Sequence, residues 1–229
     1  MRNVGLALVI ALFGAASGAA QAPGLREVRS WGDFGIGVVG GVPVGQFADL
    51  VTDVGGVNAD LILHLDRHGA AALRIDGSYL QYGNERRLLP LQGSGGLLAV
   101  DMNTTFYVAA LRAGPQIVLG SGRIRPYGFG TIGVAYFATE TSLDGCCGTT
   151  NYDDTALSLA AGGGFRIDIS RGRHPAALDL GASYVRNGQV NYVRAGDITA
   201  NPDGSFTLHP VRSDANFVTV QVGLSFGLR

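Results

Sequence analysis

Eight ionisable residues, Asp60, His64, Arg74, Asp76, Arg112, Arg166, Asp168 and Asp179, stand out in a chain of which only 15 % is charged. Histidine beside aspartate, as His64 beside Asp60, is the minimal material for general acid–base chemistry. Four acids, three arginines and a histidine are equally the material of charge-assisted hydrogen bonds that tie chain segments together. Cys146 and Cys147 form a second candidate, in the stretch Asp144-Gly145-Cys146-Cys147-Gly148. Their Cα atoms lie ~3.8 Å apart, against the ~4.4–6.8 Å of ordinary disulfides, so a vicinal bridge is strained. An oxidising compartment still permits it, and free or intermolecular thiols are the alternative. Metal binding ranks last, because two thiols without histidine make an incomplete zinc set.

Other motifs carry less. Gly35-Ile36-Gly37-Val38-Val39-Gly40 has the spacing of a nucleotide-binding glycine loop, but Pro43 and a loop follow where a helix should begin. The small residues serve close packing and curvature instead. His209, near Ser205 and Ser213, is a weak nucleophile–base arrangement. All 17 basic residues are arginine, which excludes P-loop, kinase-lysine and Schiff-base chemistry. No cofactor and no metal site is expected.

The elements that must position these residues are strands. With 46 % hydrophobic residues, 36 glycines and a net charge of −1, the chain is neither a disordered acidic tail nor a nucleic-acid binder. A period of two recurs about eight times, the smallest count of a transmembrane barrel. It covers roughly 33–42, 57–65, 71–82, 105–118, 125–138, 155–169, 176–186 and 216–228. Val57, Ala59, Leu61, Leu63 and Leu65 share one face, and Asn58, Asp60 and His64 the other. Leu73, Ile75 and Tyr79 oppose Arg74 and Asp76 in the same way. Most segments reach the ~9–11 residues that cross a bilayer at a tilt. Met1-Arg2-Asn3, the apolar run Val4–Phe13 and the small residues Gly14–Ala22 make an export signal, with cleavage expected after Ala20.

Tight connections at 66–69, 120–123 and 171–174 alternate with long ones at 43–56, 83–104, 139–154 and 187–215. An up-and-down barrel gathers such connections at opposite rims. Tyr79, Tyr82, Phe106, Tyr107, Tyr136, Phe137, Tyr184 and Phe217 fall toward the long-loop ends, and Trp31, Phe34, Tyr127, Phe129 and Phe226 toward the other, as two aromatic girdles. An apolar phase shift between Phe129 and Ile132 predicts a bulge near Gly130. Favourable pairing predicts Arg166 opposite Asp179 and Asp60 opposite Arg74.

The C-terminal stretch Val218 to Arg229 alternates apolar and polar residues. It resembles the assembly signal of small outer-membrane β-barrel proteins of the OmpA/OmpX type, with Gln221, Gly223, Phe226 and Leu228 at its four fixed positions and Leu228 replacing the usual final aromatic. The resemblance covers essentially the whole mature chain. It implies an all-β, eight-stranded antiparallel up-and-down transmembrane barrel at 33–229, after a signal peptide at 1–20 and a periplasmic segment at 21–32. It also implies residence in the outer membrane and recognition by its assembly machinery. The eight ionisable residues then project into a narrow lumen, as a structural plug, a gated pore or, least favoured, a catalytic site. The expectation is a monomeric, non-enzymatic protein with a structural or surface-interaction role, and a narrow-pore channel or a lipid-modifying enzyme as alternatives. Arg86, Arg87, Arg194 and Arg212 in the long loops are either contacts to anionic lipopolysaccharide and host polyanions or ordinary solvated charges.

Overall fold

The computed structural model describes residues 30–90, 99–143, 146–170, 175–194, 197–200 and 206–228. The expected signal peptide and most of the segment after it lie outside the described residues. Eight long strands form the body: β1 (Gly32–Val44), β2 (Val54–His64), β3 (Ala71–Pro90), β4 (Ala99–Val118), β5 (Ile124–Leu143), β6 (Cys146–Ser170), β7 (Ala176–Asn187) and, after four short strands, β12 (Asn216–Leu228). The short ones are β8 (Gln189–Tyr192), β9 (Ile198–Ala200), β10 (Phe206–Leu208) and β11 (Val211–Asp214), which pair as β8 with β11 and β9 with β10. The long strands run antiparallel in sequence order, and β1 pairs with β12 from Gly32↔Leu228 to Val44↔Asn216, so the sheet closes as a barrel.

Alternation sorts the two faces. Outward positions such as Val38 at 62 %, Leu65 at 70 % and Val220 at 61 % are exposed, forming an apolar band around the wall. Arg74, Asp76, Arg112, Arg166 and Asp179 are buried inside it. A water-soluble sheet reverses this arrangement. Among the described residues, the exposed large hydrophobics stop at Tyr79 on β3 and begin at Leu111 on β4.

Three expectations are corrected. The stretches 83–104 and 139–154 are largely not loops: β3, β4 and β5 have 20 residues each and β6 has 25, so these strands run on past the apolar band. Their upper parts carry polar residues on both faces, as in Asn84 bonded to Thr105 and Thr104 to Thr141, which removes the period-two signal. No bulge occurs at Gly130, because Ala113↔Ile132 and Gln116↔Phe129 keep one register; register shifts fall instead at Gln81/Gly83, between Thr139 and Leu143, and at Asp168/Ser170. The apparent phase shift in β5 arises because Tyr127 and Phe129 point inward. Nor do Tyr82, Phe106, Phe137 and Phe217 belong to an outer girdle; all four are buried inside, while Tyr79, Tyr184, Phe34 and Phe226 remain on the outer wall.

Glycine permits closure of the seam. A Cβ at Gly223 would stand 2.7 Å from the Ile36 carbonyl on β1, so any side chain there pushes β1 and β12 apart. At outward Gly40 a Cβ meets nothing within 4 Å. Gly223→Val is therefore expected to lose the heat-modifiable folded band on SDS gels, whereas Gly40→Ala keeps it; equal folding of both would contradict the seam argument.

Candidate functional site

The lumen collects the charged residues into a lower storey. Asp60 and Arg74 form an ion pair of 3.2 Å between Oδ1 and Nη2, and the second Arg74 arm donates to Gln116 Oε1 at 3.1 Å. The guanidinium also lies 4.6 Å from the centre of the Phe129 ring, within cation–π range. Arg112 donates Nε and Nη2 to Asp76 Oδ1 at 2.9 and 2.6 Å, and Nη1 to Ser158 at 3.3 Å. Arg166 pairs with Asp33, and Asp168 with Arg125 at 2.7 Å. Asp179 accepts from the Tyr127 hydroxyl at 2.7 Å and from Gln221 Nε2 at 3.2 Å. Hypothetical Cβ atoms at Gly164 and Gly181 would stand 2.8 and 2.7 Å from that hydroxyl, so the two glycines clear the tyrosine's path across the lumen.

All eight sequence-derived lumen residues meet partners here, but some partners differ from those expected. Asp60 stands opposite Asp76 and Arg74 opposite Ile62, so the Asp60–Arg74 contact is diagonal and the expected register is wrong by two residues. Arg112, reaching Asp76 from β4, balances the second carboxylate and makes that register tolerable. Arg166 does stand opposite Asp179, yet its guanidinium crosses to Asp33. His64 meets Asp33 at 3.0 Å rather than Asp60, and its other ring nitrogen meets the Ser30 carbonyl at 3.0 Å. A ring whose two nitrogens both face oxygen acceptors is an anchor rather than a poised base. Asp33, Arg125 and Gln116 were not singled out from the sequence, and Tyr127 was placed in an outer girdle. Asp33 was legible, since it alternates with Phe34 and Ile36; Tyr127 and Phe129 were hidden because aromatics were assigned to the outer wall.

Above this network lies an apolar storey. Phe47 sits on a 3₁₀ turn, Gly45–Asp49, that follows β1, and is 0 % exposed. Gly45 has φ +67°, a left-handed turn that favours glycine and directs the segment inward. Phe47 meets Tyr192 at 5.3 Å, Tyr82 at 5.8 Å and Phe217 at 6.5 Å between ring centres. Phe106 and Phe137 close the cluster from β4 and β5. The Tyr82 hydroxyl donates to the Val193 carbonyl at 3.3 Å, which ties the long connection after β7 to the cluster. Between Asn58, Asp60, Asp179 and Gln221 the lumen holds a cavity of about 10 Å³, the scale of one water molecule.

The remaining candidates resolve unevenly. Gln221 joins the lumen network and Gly223 the seam, while Phe226 and Leu228 lie on the outward side of β12, so the residues of the assembly pattern also have places in the folded wall. The backbone of Cys146 and Cys147 opens β6, and the question of their bridge lies outside the described residues. Ser205 does too. Among the described residues His209 bonds to Thr199 at 3.3 Å and Ser213 to Tyr192 at 2.8 Å, so those two do not form a nucleophile–base pair. No group of three or more metal-ligating side chains occurs among the described residues. Of the loop arginines, Arg86 and Arg212 are exposed, Arg194 pairs with Asp197 at 3.0 Å, and the Arg87 side chain is outside the described residues. Asp154, on β6 beyond the apolar band, accepts the Asn191 backbone N–H at 2.8 Å and its side-chain amide at 2.9 Å. The backbone hydrogen bond from Asn191 is the foremost cause holding its carboxyl below the ordinary 3.8.

No protein-family model matches the chain, and no curated protein does. Similar solved structures include Ail, the attachment invasion locus protein of Yersinia pestis, at 16 % identity and a TM-score of 0.47, covering 87 % of this chain and 99 % of that one. Neisserial surface protein A matches at 11 % identity and 0.49, covering 87 % and 98 %. Ail in complex with the heparin analogue sucrose octasulfate matches at 15 % and 0.43, covering 85 % and 96 %. The fold itself is read from the strand order: the chain is a closed eight-stranded antiparallel barrel, the architecture of the small OmpA/OmpX type.

Two outcomes are expected of this geometry. Arg112→Met leaves Asp76 buried without its partner and costs about 3–5 kcal/mol, measured as a lowered urea midpoint in detergent micelles; adding Asp76→Asn recovers part of the loss. For Asp154 the folded value is depressed, so its contribution is present above the unfolded value and lost as pH falls through the folded one. The protection of the Asn191 amide relative to its intrinsic exchange rate should therefore be full well above pH 3.8 and fall as the pH drops below it.

Proposed function

We propose that this protein is an outer-membrane β-barrel with a closed lumen that acts at the cell surface through the sheet rising from its wall. The observation that carries this reading is the length of β3 to β6. Strands of 20 to 25 residues exceed by roughly ten or more the ~9–11 that a tilted crossing needs, and the excess lies beyond the apolar band. Export, an apolar exterior and a polar interior support the membrane setting, with the short turns on the periplasmic side.

The pore alternative has less support. A conducting path must pass an ion-paired storey and then an aromatic one, and interiors of eight-stranded barrels are filled by side chains. Catalysis has less still, because His64 is tied to two oxygens and His209 to Thr199. The protein works without a cofactor, as a monomer among outer-membrane lipid and lipopolysaccharide, and reaches its place through the assembly machinery. The protruding sheet carries charges of both signs, including exposed Arg86, Asp101 and Asp153. Its surface partners are therefore proteins or glycans met by mixed polar contacts rather than a uniform polyanion.

The test uses cysteine labelling on intact cells, in a background with Cys146 and Cys147 replaced by Ser. A membrane-impermeant maleimide should label Thr150→Cys on the protruding sheet but not Leu119→Cys at the short-turn end, and the protein should show a heat-dependent gel shift. Shortening 84–104 to a two-residue turn should keep that shift and lower adhesion of the cells to a cultured monolayer. Labelling at neither position, with the protein in the soluble periplasmic fraction, would refute the membrane reading; steady conductance in planar bilayers would favour the pore.

A further inference from the structure

The outer wall has a groove of about 390 Å³ across β4 to β7, within the ~300–1,000 Å³ of ligand pockets. Its origin is local. Ala113 and Ala161 face outward with a single methyl, and a Cβ on Gly130 would meet nothing within 4 Å. The β4–β5 pairing lapses there, since Gly114–Pro115 and Gly130–Thr131 have no ladder partners between Ala113↔Ile132 and Gln116↔Phe129. Leu119 donates to Pro126, which sets the bonded pairs at every second residue and places Pro115 opposite Gly130. Pro115 has no N–H to give, so the ladder cannot be completed at that point.

One polar side chain marks this groove off from the rest of the apolar wall. Thr131 contributes backbone to its floor, while its buried side chain points into the lumen with Tyr127 and Phe129. Arg186, exposed beside the outward Tyr184, lines it and makes no ion pair among the described residues. A cation and an amphipathic ring side by side on an otherwise oily wall suit the level of lipid headgroups.

We infer that the groove seats one acyl chain of an anionic lipid, with the negative headgroup on Arg186 and the chain lying along Ala113, Gly130 and Ala161. This rests on the membrane reading above. An apolar trough with a single cation at its edge complements an amphiphile with a negative head. A zwitterionic lipid gains less from the same cation.

The experiment places a single tryptophan at Tyr184 or, as control, at Val38 on the far side of the barrel, each in a Trp31→Phe background. The full chain is folded into vesicles in which brominated acyl chains are carried by phosphatidylglycerol or by phosphatidylcholine. Quenching at position 184 should indicate about a fivefold preference for the anionic lipid, the factor given by ~1 kcal/mol for an arginine at a membrane surface, with no such preference at position 38. Arg186→Gln should remove the preference while retaining ordinary quenching. Gly130→Leu, whose Cβ would meet nothing within 4 Å, should do the same and keep the heat shift. Equal quenching at the two positions by both lipids means ordinary annular lipid and overturns the seat. Weaker quenching at 184 than at 38 means that another protein copy covers the groove and also overturns it. Quenching at neither position refutes membrane insertion itself, and the seat with it.

Discussion

Closing eight strands on themselves leaves an interior only wide enough for side chains, and the rest of the structure follows from that narrowness. Every inward position must be filled by something that fits and is satisfied there. Where a carboxylate occupies the space, its neighbour has none: a Cβ at Gly35 would stand 2.7 Å from the Asp60 carboxylate. Where a guanidinium enters, a carboxylate or amide must meet it, since an unpaired buried charge costs several kcal/mol. The lumen thereby couples residues far apart in the chain, as with Asp33 and Arg166, 133 positions apart.

The two storeys solve this packing problem differently. In the lower one, ion pairs and the Tyr127–Asp179 hydrogen bond meet much of the polar inner face, while Arg74 Nε, Asp76 Oδ2 and Arg166 Nη2 are buried without a partner among the described residues. Higher up, strands of the same pleat turn Leu80, Tyr82, Phe106 and Phe137 inward, and the turn bearing Phe47 fills the space among them. Only there is the connecting chain near enough to contribute its own apolar residues, Val190, Tyr192 and Val193. The upper lumen is thus an ordinary hydrophobic core and the lower a polar one, stacked on a common axis.

Much of this was legible from alternation alone. The strands within the apolar band, the tight turns at 66–69 and 120–123 and the inward set from Asp60 to Asp179 were legible from a period of two, turn residues and the placement of charge; the turn expected at 171–174 lies outside the described residues. What alternation could not supply was the identity of partners across the lumen, because a contact such as Arg166 with Asp33 is set by barrel closure and not by hairpin neighbours. Aromatic residues misled for a related reason. Tyr127 and Phe106 are suited both to a headgroup and to a core, and only the parity of their positions distinguishes the two. The upper strands were taken for loops because neighbours such as Thr104 and Thr105 are polar on both sides of the sheet, a pattern without periodicity even where the backbone is paired.

The seam between β1 and β12 has a kinetic consequence. Most neighbouring strands meet across short stretches of chain, but Gly32 waits for Leu228. Loop-closure entropy must be met before that pairing stabilises anything, so the seam is the slow, high-contact-order step of assembly. Until it forms, both strands present unpaired edges, which are templates for aggregation. A partner that covers the free edges of β1 and β12 until they meet therefore has more effect on folding yield than one that covers an interior strand.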